Sequence, residues 1–159
     1  MVNPNWNKEI KTNFNNAASN YTKYSFIQKY FADEIGHVLK NLNIPDGEWF
    51  DFGSGTGILA DKLEEIFLGA KVTRIDFSQK MLYQNKKGSK ILLHDLNRKL
   101  PLSIQNCSLI VSNFCIHWLD NPEANLRDWL EKLKSGGYLI VSFPSENCFP
   151  EWRNTCKKK

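Results

Sequence analysis

Apolar residues recur along this chain with two alternating periods. Ile27, Phe31, Ile35, Val38 and Leu42 fall at three- and four-residue steps, which predicts one face of an amphipathic helix over 24–42. Pro45-Asp46-Gly47 breaks that pattern, and 48–52 predicts a short strand running into Gly53-Ser54-Gly55-Thr56-Gly57. Leu59, Leu63, Ile66 and Phe67 restore the helical period until Gly69 closes it. A second strand is predicted over 71–76, with Ser78 placed to N-cap the helix that begins SQKMLYQN. The third strand, 90–93, ends at His94-Asp95, and 108–114 predicts the fourth. Asn121-Pro122-Glu123 carries the cap, the proline and the acid of a helix start. That helix should bury Leu126, Trp129, Leu130 and Leu133 and end at Gly136-Gly137. The fifth strand, 138–143, is almost continuously apolar, as a strand covered on both faces should be. Strands alternating with helices imply right-handed crossovers and a parallel sheet, so the predicted class is α/β, doubly wound.

Composition narrows the setting. At 159 residues, 42% hydrophobic and 24% charged, the chain fits one globular domain, and no apolar run approaches the ~18 residues of a spanning helix. The opening MVNPNWNKEI has neither the apolar stretch of a secretory signal nor the arginines of a transit peptide. Cys107, Cys115, Cys148 and Cys156 form no CxxC pair, so a reduced, cytoplasmic setting is expected, with no metal site. Lysine and arginine number 21 against 17 acids, for a net charge of +4. The few arginines (Arg74, Arg98, Arg127, Arg153) are scattered and not interleaved with aromatics, which argues against nucleic acid as a partner.

The loop after the first strand carries the chemistry. In doubly wound sheets ligands bind beyond the carboxyl ends of the strands, and glycines there let backbone approach a ligand closely. A triphosphate-binding loop needs Gly-Lys-Ser/Thr, whereas Gly57 is followed by Ile58. A dinucleotide loop wants a small residue at position 58, again occupied by Ile58. Asp51, two residues before Gly53, would face a diphosphate badly but suits a cation. S-adenosylmethionine carries a sulfonium and an ammonium and no phosphate, and the loop favours it. Asp76, ending the second strand, can accept from both ribose hydroxyls, or simply cap a turn. Asp95, with Leu96 beside the ring, is placed to accept from an adenine amino group, unless it is a solvated strand end. Asn113 would line the pocket floor under the methionine moiety, or make ordinary strand-end hydrogen bonds.

With these residues in hand, the chain resembles the class I S-adenosylmethionine-dependent methyltransferases through DFGSGTG (51–57), RIDFSQKML (74–82), LHDLNRKLP (93–101), LIVSNFCIHW (109–118) and LKSGGYLIVSF (133–143). The resemblance implies a Rossmann-like sheet in the order 3-2-1-4-5. It also implies a cofactor set of Asp51, Gly53, Ser54, Gly55, Gly57, Asp76, Phe77, Asp95, Leu96 and Asn113. Within the class, FNNAASNYTKYSFIQ (14–28), SNFCIHW and SENCFPEWRN resemble the biotin-pathway malonyl-[acyl-carrier protein] O-methyltransferases, with Asn16 and Thr22 departing from that group's pattern. That likeness implies methylation of the free carboxylate of malonyl-loaded acyl carrier protein. A carboxylate is already ionised at pH 7 and needs no base. His117 beside Trp118 therefore reads as a packed residue, and Tyr21 as a lid or core residue.

The resemblance divides one domain into a helical lid region (1–42), a cofactor core (48–143) and the start of an incomplete C-terminal segment (144–159). The family's last two strands are expected to be missing, so 138–143 is expected to leave an apolar edge. The chain is then expected to be poorly soluble or to self-associate, and to be methyltransferase-inactive even if it retains some cofactor affinity. Other small-molecule methyltransferases of the quinone C-methyltransferase type share the cofactor motifs, and a related arginine-hydroxylating assembly factor shares a stretch like SNFCIHW. The non-enzyme alternative is a truncated domain that holds the cofactor, or nothing, without turnover.

Overall fold

The computed structural model of the chain describes residues 6–145 and 148. Within them, the strand-forming stretches become β1 (Trp49–Phe52), β2 (Val72–Asp76), β3 (Ile91–Leu93), β4 (Cys107–Asn113) and β5 (Leu133–Ser142). They pair in parallel in the order β3-β2-β1-β4-β5, as expected. Helices α1 (Trp6–Tyr24) and α2 (Phe26–Lys40) precede the sheet, while α3 (Ile58–Ile66), α4 (Gln79–Leu82) and α5 (Pro122–Glu131) lie between strands, and a 3-10 turn (Ile116–Trp118) follows β4. The chain winds outward from β1 to β3 and then returns to place β4 on the other side of β1. Strand order therefore reverses between β1 and β4, and a crevice opens at their carboxyl ends.

The sheet is buried on both faces, which is why its interior strands lack simple alternation. Phe50, Phe52, Ile75 and Ile110 pack with Trp129 of α5 on one side. Val72, Leu109 and Val111 pack with Ala32, Ile35 and Leu39 of α2 and Leu59 and Leu63 of α3 on the other. Two local signals are realised as predicted. Ser78 Oγ accepts from the Met81 N–H at the start of α4, and Asn121 Oδ1 accepts from the Ala124 N–H at the start of α5.

Three elements depart from the sequence reading. The buried face of α2 is Ala32, Ile35, Gly36 and Leu39, leaving Ile27, Phe31 and Val38 of the predicted stripe exposed. The cause is the approach to α3: a Cβ on Gly36 would lie 2.5 Å from Ile66 Cδ1, so small residues set the contact and turn the bulky stripe away. Secondly, Gly136-Gly137 do not end a helix. α5 stops at Glu131, Leu133 already pairs with Cys107, and the glycines occupy an irregularity before Leu109 pairs with Tyr138. Beyond it, Leu139 and Val141 pack on one core and Tyr138 and Ile140 on the other, although β5 is the edge strand of the described sheet. Thirdly, α4 spans only four residues, shorter than SQKMLYQN suggests. Most of the expected C-terminal segment (146, 147 and 149–159) lies outside the described residues. No helix among the described residues is long and apolar enough to cross a membrane.

Candidate functional site

The glycine run folds as it does because the end of β2 holds it. The Gly53 and Ser54 N–H groups both donate to the Ile75 carbonyl, at 2.8 and 2.9 Å, and the Gly57 N–H donates to Ser54 O at 2.9 Å. Gly53 has no alternative residue: its φ is +73°, and a Cβ would lie 2.2 Å from Cys115 Sγ. The Gly55 N–H donates to Asp76 Oδ2 at 2.9 Å, while Asp76 Oδ1 accepts from the Ser78 N–H at 2.7 Å. Asp51 Oδ2 accepts from the Ala60 N–H at 3.2 Å. Its other oxygen, Oδ1, is buried with no protein partner, as is Ser54 Oγ.

These groups border one cleft, enclosing about 820 Å³ with its open mouth, within the range of small-molecule sites. Asp51, Gly53, Ser54 and Gly55 form one wall, Asp76 and Phe77 the next, Asp95 and Leu96 one end, and Asn113 the other. Helix α1 roofs it with Ile10, Phe14 and Tyr21. Phe14 meets Phe77 at 6.1 Å and Trp118 at 5.7 Å between ring centres, both edge-on. Three polar straps tie α1 down: Asn7 Nδ2 donates to Asp120 Oδ2 at 3.0 Å, Ser78 Oγ to Asn15 Oδ1 at 2.7 Å, and Thr22 Oγ1 to Thr56 Oγ1 at 2.7 Å.

The cleft therefore gathers Asp51, Gly53, Ser54, Gly55, Asp76, Phe77, Asp95, Leu96, Asn113 and Tyr21. Gly57 is the exception. It stands outside the lining, caps α3 at φ +84°, and faces Asn85 and Arg74. Asn113 lines the floor, but both ends of its amide are engaged: Nδ2 donates to Gln28 O at 2.8 Å and Oδ1 accepts from Ser142 Oγ at 2.6 Å. Asp95 Oδ1 accepts from the Asn97 N–H at 3.0 Å. The sequence reading missed the rest of the roof. Asn7, Ile10 and Phe14 sit at steps of three and four, a helical signal that the asparagine-rich opening obscures.

Electrostatically the cleft is unbalanced. Burial pushes the Asp51 carboxyl up to about 7, against the pull of Arg74 and the Ala60 N–H. Burial likewise pushes Asp76 up to about 6, opposed by the N–H groups of Ser78 and Gly55. No lysine or arginine is among the described lining residues. Two desolvated carboxylates without a cation on the wall fit a positively charged ligand and reject a diphosphate. Burial also raises the Tyr21 phenol and the Cys115 thiol, so both stay neutral. His117 does not line the cleft; its ring packs against Phe114 and Trp118 while remaining partly exposed, and partial desolvation lowers its pKa.

Comparison with known proteins follows the same geometry. Residues 50–141 match the family model described as a methyltransferase domain. Over 94% of its length the chain is 29% identical to malonyl-[acyl-carrier protein] O-methyltransferase 2 of Ilyobacter polytropus, covering 59% of that protein. Over 89% of its length it is 28% identical to malonyl-[acyl-carrier protein] O-methyltransferase of Bacillus cereus, covering 55%. The chain thus spans little more than half the length of these curated relatives. A solved structure from Thermotoga maritima, described as a SAM-dependent methyltransferase and possible histamine N-methyltransferase, superposes with a TM-score of 0.69 at 24% identity, covering 91% of this chain and 68% of that one.

Proposed function

This chain belongs to the methyltransferase-domain family, and from that premise we propose that it binds S-adenosylmethionine in the cleft and serves methyl transfer to the free carboxylate of malonyl-loaded acyl carrier protein. The observation that carries the cofactor half is the pair of buried carboxylates, Asp51 with one oxygen unpartnered and Asp76 fixed against Gly55. When bound, S-adenosylmethionine supplies an activated methyl group on a cationic sulfur. Asp51 would face its positive end, Asp76 would accept from the ribose hydroxyls, and Asp95 with Leu96 and Phe77 would border the adenine.

The acceptor half rests on the names of the two relatives and on one feature of the cleft. Among the described lining residues, the cysteine and tyrosine are held neutral by burial, and His117 is outside. The two raised carboxyls, Asp51 and Asp76, are assigned to the cofactor, which leaves no separate base for the acceptor. A carboxylate acceptor needs none, because it is ionised at neutral pH. What remains for the protein is alignment of oxygen, methyl and sulfur and exclusion of water, which the aromatic roof of Phe14, Tyr21 and Trp118 serves.

Calorimetry with S-adenosylhomocysteine and with NADH tests the first half; saturable heat with NADH alone would refute it. Labelled methyl transfer to malonyl-loaded carrier protein, set against carrier loaded with an uncharged acetyl group, tests the second. Equal labelling of both carriers would show that the carboxylate is not the acceptor.

A further inference from the structure

Gly55, the middle glycine of the loop, is gripped from both sides of its backbone. Its N–H is bound by Asp76, and its carbonyl accepts from Asn85 Nδ2 at 3.1 Å. Asn85 lies thirty positions further along the chain, just past α4, and is not part of the cleft lining. The same nitrogen also donates to Leu82 O at 3.1 Å and Met81 O at 3.3 Å, the carbonyls that end α4. Three carbonyl acceptors around one end of the amide fix its orientation, since Oδ1 there would meet only lone pairs.

The other end of the amide points at Gly57. Asn85 Oδ1 would lie 2.0 Å from a Cβ on Gly57, and Arg74 Nε 3.1 Å from it. Both atoms are buried without a hydrogen-bond partner. Arg74 itself is fully buried and held by Asp61 at 2.7 Å and Glu64 at 2.9 Å, so the ground behind the loop is rigid. The missing side chain of Gly57 is therefore what admits the Asn85 amide to the back of the loop.

Resting on the reading of the cleft as a cofactor site, we infer that Asn85 is a positioning residue: it fixes the 55–56 peptide plane on one side of the Gly55 Cα as Asp76 fixes the 54–55 plane on the other, and so sets the loop conformation that faces the cofactor, although it touches no ligand itself. The Gly55 N–H held by Asp76 lies in the 54–55 peptide plane and the carbonyl held by Asn85 in the 55–56 plane. Without the Asn85 tether the second plane is free to turn about the Gly55 Cα, and the short loop between the fixed points at Ser54 and Gly57 loses its set conformation.

Two substitutions separate this role from simple capping of α4. Asn85→Ala removes every bond. Asn85→Ser retains a hydroxyl that can donate to Leu82 O one turn back but is too short to reach Gly55 O. In the full chain, S-adenosylhomocysteine binding measured by calorimetry is expected to weaken about tenfold in both, the equivalent of one buried hydrogen bond. Urea unfolding without ligand is expected to show Asn85→Ser recovering most of the stability that Asn85→Ala loses. Wild-type affinity in Asn85→Ser, or affinity that recovers in step with stability, overturns the inference. Failure of the wild-type chain to bind S-adenosylhomocysteine at all overturns the reading of the cleft, and the inference with it.

Discussion

Replacing Asp51 by asparagine keeps the shape of the side chain and removes its charge, so it tests whether the cleft is electrostatically poised. Moving a carboxyl from the usual 3.8 to about 7 means that the fold disfavours the ionised form by about 4 kcal/mol. The sign follows from proton counting. Between pH 4 and 7 the folded chain holds a proton at Asp51 that the unfolded chain has released, so this group's contribution to stability falls as pH rises through that window. It is fully present below the unfolded value and has dropped by about 2–3 kcal/mol between pH 5 and pH 8. The substituted amide does not titrate. Its nitrogen occupies an unpartnered position and carries a cost of about 1–3 kcal/mol, but that cost is the same at every pH. Urea denaturation of wild type and Asp51→Asn at pH 5 and pH 8 should therefore show the variant gaining on wild type by about 2–3 kcal/mol at the higher pH. The same pair should diverge in the opposite sense on binding. Affinity of the wild type for cationic S-adenosylmethionine should rise from pH 5.5 to pH 8 as Asp51 and Asp76 ionise, and Asp51→Asn should bind more weakly with a shallower pH dependence. A stability difference independent of pH, or one that favours the variant more at pH 5, would refute the reasoning.

Asp76→Asn, which loses the carboxylate charge while keeping one acceptor, should weaken S-adenosylhomocysteine binding about tenfold to a hundredfold, whereas the exposed Asp46→Asn should leave calorimetry unchanged. Asp61 would be a poor control, because it is bonded to buried Arg74 rather than free at the surface. Gly53→Ala drives a Cβ into Cys115 at a positive φ and should cost about 2–4 kcal/mol in urea unfolding. If carrier protein is the acceptor's bearer, methyl transfer to it should slow as salt rises, since the chain carries +4 and carrier proteins are acidic; a carrier-dependent rate indifferent to salt would remove the electrostatic dock.

Much of this architecture is legible in the chain because the signals are local. Ser78 and Asn121 cap helices where their side chains fit the first turn, and the run 53–57 sits at the turn between β1 and α3. Other features depend on partners distant in sequence. The phase of α2 is decided by Gly36 against Ile66, a contact that outweighs the bulkier stripe of Ile27, Phe31 and Val38. The end of α5 is misread from sequence because a glycine pair can serve a helix end or a strand irregularity, and pairing with β4 selects the latter. Asn85 is invisible for the same reason: an asparagine after a short helix is an ordinary turn residue until Gly55 O and Gly57 are brought beside it.

The central position of β1 governs the order in which the molecule can assemble. Trp49 pairs with Val72 on one side and with Leu109 on the other, so the crevice at the reversal of strand order exists only after β4 has closed a long loop onto β1. Helix α1, first in the chain, waits longer still, because its straps end on Thr56, Ser78 and Asp120. During synthesis Phe14 is thus made well before Phe77 and Trp118, the rings it meets edge-on. A ligand that binds only beneath a docked α1 stabilises the whole closed topology rather than any one segment of it.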